Sequence, residues 1–204
     1  MSGRLILASA SPRRRELLAA ARFDFEVEPA EIDEDLDALF DEGDDEGGAA
    51  EAGPEACVRE LAARKALEVW ARHPDAWVLG ADTLVVRDGV VFAKPEDRDD
   101  AREMLRALSG GWHEVWTGVV LCGPDGAMEE LAVCTKVRFR ELSEPEIEAY
   151  LAVPTRWSDK AGAYGIQAEG GAFVAELRGS KTNVIGLPME QLEPRLRAVL
   201  APSL

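Results

Sequence analysis

The sequence predicts an α/β protein built on a mixed β-sheet with flanking helices. Short apolar runs alternate with longer helical stretches along the 204 residues. Two pairs of runs flank tight-turn sequences, Asp88-Gly89 and Gly123-Pro124-Asp125-Gly126, and so read as antiparallel hairpins. Other runs are separated by whole helices, which calls for crossover connections. Hairpins and crossovers together argue against a purely parallel sheet. The length suits one large domain, or two lobes sharing a core.

Residues 4–8 form a short apolar run and residues 13–22 a helix. Ser11 stands where a cap belongs and Pro12 at the first helical position. Residues 23–27 read as a strand. Residues 54–73 read as a long helix with Val58, Leu61, Ala62, Val69 and Trp70 on one face. Strands over 77–86 and 90–94 flank the Asp88-Gly89 turn. A helix over 97–108 closes at Gly110-Gly111. Strands over 112–122 and 131–140 follow. The capping box Ser143-Glu144-Pro145-Glu146 opens a helix to residue 151. A Gly-rich loop, a strand over 172–177, a second loop and a closing helix from Pro188 complete the chain. No internal repeat is present.

The chain is 47% hydrophobic and 30% charged, enough apolar material for a sizeable core. No apolar run approaches the roughly 20 residues of a membrane span, and the first residues are too short an apolar stretch for a signal peptide. Three cysteines, Cys57, Cys122 and Cys134, lack metal-ligand spacing, and an odd, sparse count suits reduced thiols. These features predict a cytoplasmic protein without a membrane partner. The net charge is −16, yet residues 31–55 carry twelve Asp and Glu and no Lys or Arg, so the rest of the chain carries only −4. Residues 41–53 read as a flexible, solvated acidic loop. No basic stripe offsets this field, which argues against duplex nucleic acid as a partner.

Three places can carry chemistry. In the turn Ser9-Ala10-Ser11-Pro12-Arg13-Arg14, two hydroxyls precede a helix whose first turn holds two guanidinium groups. Positive charge there opposes the helix dipole, and a bound phosphate removes the conflict. An ordinary capped helix with surface arginines fits the spacing equally well. In Gly80-Ala81-Asp82-Thr83, a carboxylate sits inside an apolar strand, where it is costly unless paired or metal-bound. A two-residue hairpin turn sets Thr83 opposite Lys94, and a three-residue turn sets Asp82 there, so an Asp82–Lys94 ion pair is the structural alternative to a functional carboxylate. Lys65 shares the apolar stripe of its helix, where it either snorkels to solvent or meets a phosphate. Gly179-Ser180-Lys181-Thr182 fails as a phosphate loop, because Ser180 stands where the Walker pattern needs Gly. His73 and His113 are isolated, and neither pairs with Cys or His at metal-ligand spacing, which argues against structural zinc.

Six segments together resemble the Maf family of nucleoside triphosphate pyrophosphatases. They are Leu7-Ala8-Ser9-Ala10-Ser11-Pro12-Arg13-Arg14, Ala63-Arg64-Lys65-Ala66, Gly80-Ala81-Asp82-Thr83, Lys94-Pro95, the run from Asp159 to Gln167, and Asn183-Val184-Ile185-Gly186-Leu187-Pro188. They occur in family order across nearly the whole chain. The resemblance implies one Maf-like domain over residues 1–204, of the elongated, two-lobed type shared with inosine-triphosphate pyrophosphatases, with a central cleft. It also implies a homodimer and a divalent cation, Mg²⁺ or Mn²⁺. Asp82 matches the family's proposed catalytic base, and Glu34 an acidic position suited to metal ligation, with Asp82 a second candidate ligand. Ser9, Ser11, Arg14, Lys65 and Lys94 match residues that would hold the triphosphate and offset charge on the pyrophosphate leaving group.

Arg13, Thr83 and Gln167 resemble the family group acting on dTTP and UTP, where the group preferring 7-methyl-GTP carries other residues. A glutamine amide can donate to and accept from a pyrimidine edge at once. Three features depart from the family pattern: Ala168-Glu169 follow Gln167 where Gly is usual, Lys181 replaces an aromatic residue, and the acidic segment is longer. A non-catalytic nucleotide-binding regulator is the competing class. The presence of Asp82, Lys65, Lys94 and Glu34 together favours the enzyme, and no kinase motif supports phosphoryl transfer to a second substrate.

Overall fold

In the computed structural model of the protein, residues 3–32 and 53–201 are described. Glu34 and the acidic segment at 41–52 lie outside them. Among the described residues seven strands form one mixed sheet: β1 (Leu5–Leu7), β2 (Glu26–Val27), β3 (Trp77–Arg87), β4 (Val90–Phe92), β5 (Trp112–Cys122), β6 (Met128–Phe139) and β7 (Val174–Arg178). The order is β2-β1-β3-β5-β6-β7, with β4 paired to β3. β1 runs parallel to β2 and β3, whereas the β3–β4 and β6–β7 pairs are antiparallel. The helices among the described residues are α1 (Pro12–Ala20), α2 (Pro54–Trp70), α3 (Arg98–Leu108), α4 (Glu144–Leu151), α5 (Lys181–Ile185) and α6 (Met189–Leu200). None is long and apolar enough to cross a membrane among the described residues.

The chain gathers into two compact units. The first comprises Met1–Asp82, Thr117–Val133 and Gly186–Leu204. Successive side chains of a strand face opposite ways, and the burial here follows that alternation. Leu5, Leu7, Leu79, Ala81, Val119 and Leu121 pack with Leu18 of α1 and Leu192 and Leu196 of α6. Ile6, Ala8 and Val78 turn the other way, onto Val69 of α2. Val120 and Cys122 join that second face against Ala62 and Ala66. Each fully buried Val or Leu contributes about 1.5–3 kcal/mol relative to exposure.

The second unit comprises Thr83–Trp116 and Cys134–Ile185. Its core joins Val85, Val115, Val137 and Phe139 of the strands to Leu105 and Leu108 of α3 and Ile147 and Leu151 of α4. The α4 capping box forms as expected, with the Ser143 amide donating to Glu146 Oε2 at 2.9 Å. The hairpin also forms: Arg87 pairs with Val90 across a two-residue turn, and Asp88 and Gly89 both take the left-handed φ (51° and 81°) that such a turn needs.

Several element ends differ from the sequence reading. The strand expected over 90–94 stops at Phe92, because the Ala93 carbonyl accepts from the Gly162 amide at 3.1 Å and Pro95 has no N–H for a ladder. The helix expected to reach residue 73 stops at Trp70, since Pro74 disfavours helical geometry at His73. The strand expected over 23–27 shortens to two residues, and the one expected over 172–177 begins at Val174, after a 3-10 turn over Glu169–Phe173. α5 was not anticipated, being too short to show a period. Its signal is Ser180, whose Oγ accepts from the Asn183 amide at 3.0 Å.

Candidate active site

Asp82 is one of few charged groups in the core of the first unit. It shares β3's face with Val78 and Gly80, the face that meets α2. Gly80 permits that meeting: a Cβ there would stand 2.3 Å from the Ala62 carbonyl and 2.6 Å from the Ala66 nitrogen. With strand and helix backbones this close, Lys65, next to Ala66, reaches the strand residue two beyond Gly80. Its Nζ donates to Asp82 Oδ1 at 2.6 Å. Residue exposure is 7% for Lys65 and 8% for Asp82, so the pair is almost dry. Lys65 therefore neither snorkels nor waits for a phosphate alone. A buried carboxylate needs a counter-charge, and α2 supplies it.

This changes the expected Asp82–Lys94 pairing. The observed register would set Thr83 opposite Lys94 if the ladder continued, but β4 has ended. Thr83 is half-buried on β3, Lys94 is exposed beyond β4, and Gln167 is exposed in a turn; all three belong to the second unit.

Arg14 also departs from its surface reading. It is 8% exposed and works as an interior clamp. Its Nε donates to the Gly186 carbonyl at 3.0 Å, and its Nη1 to Ser9 Oγ at 3.1 Å and the Ala81 carbonyl at 2.8 Å. One guanidinium thus ties the β1–α1 turn to the residue before Asp82 and to the Gly186-Leu187-Pro188 segment. The signal for those carbonyl partners lay only in tertiary proximity. Ser11 occupies the cap position but makes no side-chain cap bond; its amide instead donates to Ser9 Oγ at 3.2 Å. Ser9 is buried, whereas Ser11 and Arg13 are half-buried at the helix start.

Other polar groups have structural partners. Glu169 pairs with Arg156 at 2.8 Å, and a hydrogen bond from its own backbone together with that guanidinium holds its carboxyl below the usual range. Ser180, read as a failed phosphate loop, is buried, and its amide donates to Thr135 Oγ1 at 3.1 Å. Burial pushes the thiols of Cys57, Cys122 and Cys134 up to about 11, the nearby Asp82 charge adding to the effect at Cys57, and no disulfide forms.

For a divalent cation, no cluster of three or more His, Cys, Asp or Glu stands together among the described residues. A Mg²⁺-like ion does not require one: it commonly takes one or two carboxylates and completes its shell with water and substrate phosphates. Asp82 offers a hard oxygen donor of the right kind and fits that mode.

A sequence model of the Maf-like protein family matches residues 4–199. The chain belongs to the Maf-like protein family. Among curated relatives of this Maf-like chain, a Myxococcus xanthus protein named dTTP/UTP pyrophosphatase is 49% identical over 185 residues, which cover 91% of this chain and 87% of that one. A Latilactobacillus sakei protein of the same name is 43% identical over 192 residues, 94% and 98% of the respective chains. A solved structure of the Staphylococcus aureus Ham1 protein aligns at a TM-score of 0.43 and 12% identity, covering 67% of this chain and 71% of that one. That overlap is too loose to bear on the site.

Proposed function

We propose that this Maf-like protein hydrolyses dTTP and UTP between the α- and β-phosphates, releasing the monophosphate and pyrophosphate. The observation that carries the reading is the buried Asp82–Lys65 pair, in a chain whose relatives bear the name dTTP/UTP pyrophosphatase. Asp82 takes a proton from a water molecule as the water oxygen attacks the α-phosphorus. The bond to the α–β bridging oxygen breaks, and pyrophosphate leaves with that oxygen. Lys65 orients the carboxylate through its 2.6 Å hydrogen bond, and an ammonium has enough donors to serve a phosphate oxygen as well. Lys94, Ser9, Ser11 and Arg13 are assigned to the triphosphate. Arg14 acts through the Ser9 hydroxyl and the Ala81 carbonyl it holds. Thr83 and Gln167 are assigned to the base.

A divalent cation, Mg²⁺ or Mn²⁺, would be held by Asp82 with Glu34 and would supply charge neutralisation on the phosphates and a more acidic attacking water. A cytoplasmic homodimer completes the reading; light scattering of the purified protein tests the dimer. The deciding experiment incubates the protein with dTTP, UTP, CTP, ATP, GTP and 7-methyl-GTP in either metal and identifies the products. Monophosphate with pyrophosphate is expected, fastest for dTTP and UTP. Diphosphate with orthophosphate would refute the bond assignment, and a preference for 7-methyl-GTP would refute the substrate assignment.

A further inference from the structure

Gln167 is exposed in a turn, and an exposed amide can flip to suit uracil or cytosine equally. Discrimination therefore needs the segment that carries it to be held, and the second unit contains a buried device suited to that. His113 on β5 is 2% exposed, and its Nε2 shares a hydrogen bond with the Tyr164 hydroxyl at 2.8 Å. Both rings stack edge-on with Phe139, at centroid distances of 4.8 and 4.7 Å. From α4, the Tyr150 hydroxyl donates to the Arg156 carbonyl at 2.7 Å and accepts from the Gly165 amide. The Tyr164 side chain is thus anchored to His113, and the Tyr150 phenol holds the Gly165 amide, two residues before Gln167.

The backbone immediately upstream is strained. Gly162 and Ala163 are successive left-handed residues, with φ of 67° and 59°, and Ala163 is fully buried. A non-glycine residue in that region persists only where its surroundings over-determine it. The reversal it makes turns Tyr164 inward to His113 and leaves Gln167 outward. Burial and the nearby Arg87 cation hold His113 down to about 4, so the imidazole is neutral at physiological pH and the pair keeps a single, uncharged hydrogen bond.

We infer that His113 and Tyr164 are positioning residues for base discrimination, which fix the Gln167 segment through their buried hydrogen bond. The inference rests on Gln167 reading the base. Tyr164→Phe removes one oxygen and keeps the ring in its aromatic cluster, so the variant should fold. A typical buried hydrogen bond is worth about 1 kcal/mol, so the UTP-to-CTP ratio of kcat/KM should fall roughly fivefold. The loss should appear mainly in KM for UTP, with kcat near wild type, since Asp82 chemistry is untouched.

The experiment measures kcat and KM for UTP and CTP in wild type, Gln167→Ala, Tyr164→Phe, His113→Leu and His113→Gln. Selectivity lost in Gln167→Ala, Tyr164→Phe and His113→Leu, and partly kept in His113→Gln, whose amide can still bond the hydroxyl, is the expected pattern. Selectivity lost in Gln167→Ala but intact in Tyr164→Phe would overturn the positioning role alone. Wild-type selectivity in Gln167→Ala would overturn the base-reading assignment, and this inference with it. Equal losses in His113→Gln and His113→Leu would reduce the role to packing. If the His113 variants do not fold, Tyr164→Phe decides by itself.

Discussion

Asp82 and Lys65 neutralise each other in a nearly dry setting, which makes each substitution informative in its own way. Asp82→Asn keeps an acceptor for Lys65 and should fold, while turnover falls about 10²–10⁴-fold for loss of a general base. Near-normal kinetics in that folded variant would move catalysis elsewhere. Lys65→Ala leaves a buried carboxylate without its counter-charge and should destabilise the protein by about 3–5 kcal/mol. Lys65→Met with Asp82→Leu should recover most of the melting temperature but no activity, separating the pair's structural cost from its chemistry. His113 makes a pH prediction. Its folded-state value is lowered from 6.5 to about 4, so its neutral form contributes stability above pH 6.5. That stability is lost as pH falls from there toward 4, on the order of 3 kcal/mol for a shift of this size. Urea unfolding across that window should show a shallower decline in His113→Gln than in wild type.

At the scale of elements, the interlock of β3 and α2 is the feature on which the site depends. Gly80→Ala would drive a methyl group into the Ala62 carbonyl, which stands 2.3 Å from the ideal Cβ position. Overpacking of this kind costs about 1–3 kcal/mol. Because relief requires the helix to move from the strand, kcat should fall together with the melting temperature. Gly53→Ala is the contrasting control: among the described residues nothing stands within 4 Å of its Cβ position, so kcat should barely change and any fall in melting temperature should be the small cost of a poorer helix cap. The elements themselves were largely legible. Asp88-Gly89, the Ser143 capping box and the apolar face of α2 are local patterns whose physics acts over a few residues. Their ends were less so. Whether Ala93 continues a ladder depends on Gly162, about seventy residues away, which claims its carbonyl.

For the whole molecule, charge is the property most open to test. Residues 41–52 carry six of the acidic groups, and replacing them with a short Gly/Ser linker brings the net charge from −16 to −10 while sparing Glu34 and Gly53. Carboxylates without basic neighbours repel one another and bury little apolar surface, so the replacement should leave kcat/KM for UTP little changed. Complete loss of turnover, with the melting temperature preserved, would show that this segment reaches the substrate.

The sequence by itself determined the mixed α/β class, the hairpins, the apolar face of the long helix and, through six ordered motifs, the Maf-like family. It singled out Asp82 and Lys65 separately, because a charge within an apolar run stands out wherever the chain goes. Tertiary structure decided that they meet each other, that Arg14 turns inward to hold Ser9 and the Ala81 and Gly186 carbonyls, and that His113 finds Tyr164. The reason is physical: periodicity reports which side of an element is buried, not which group lies across the interface. That partner is set by how closely two backbones approach, and here the approach turns on a missing side chain at Gly80.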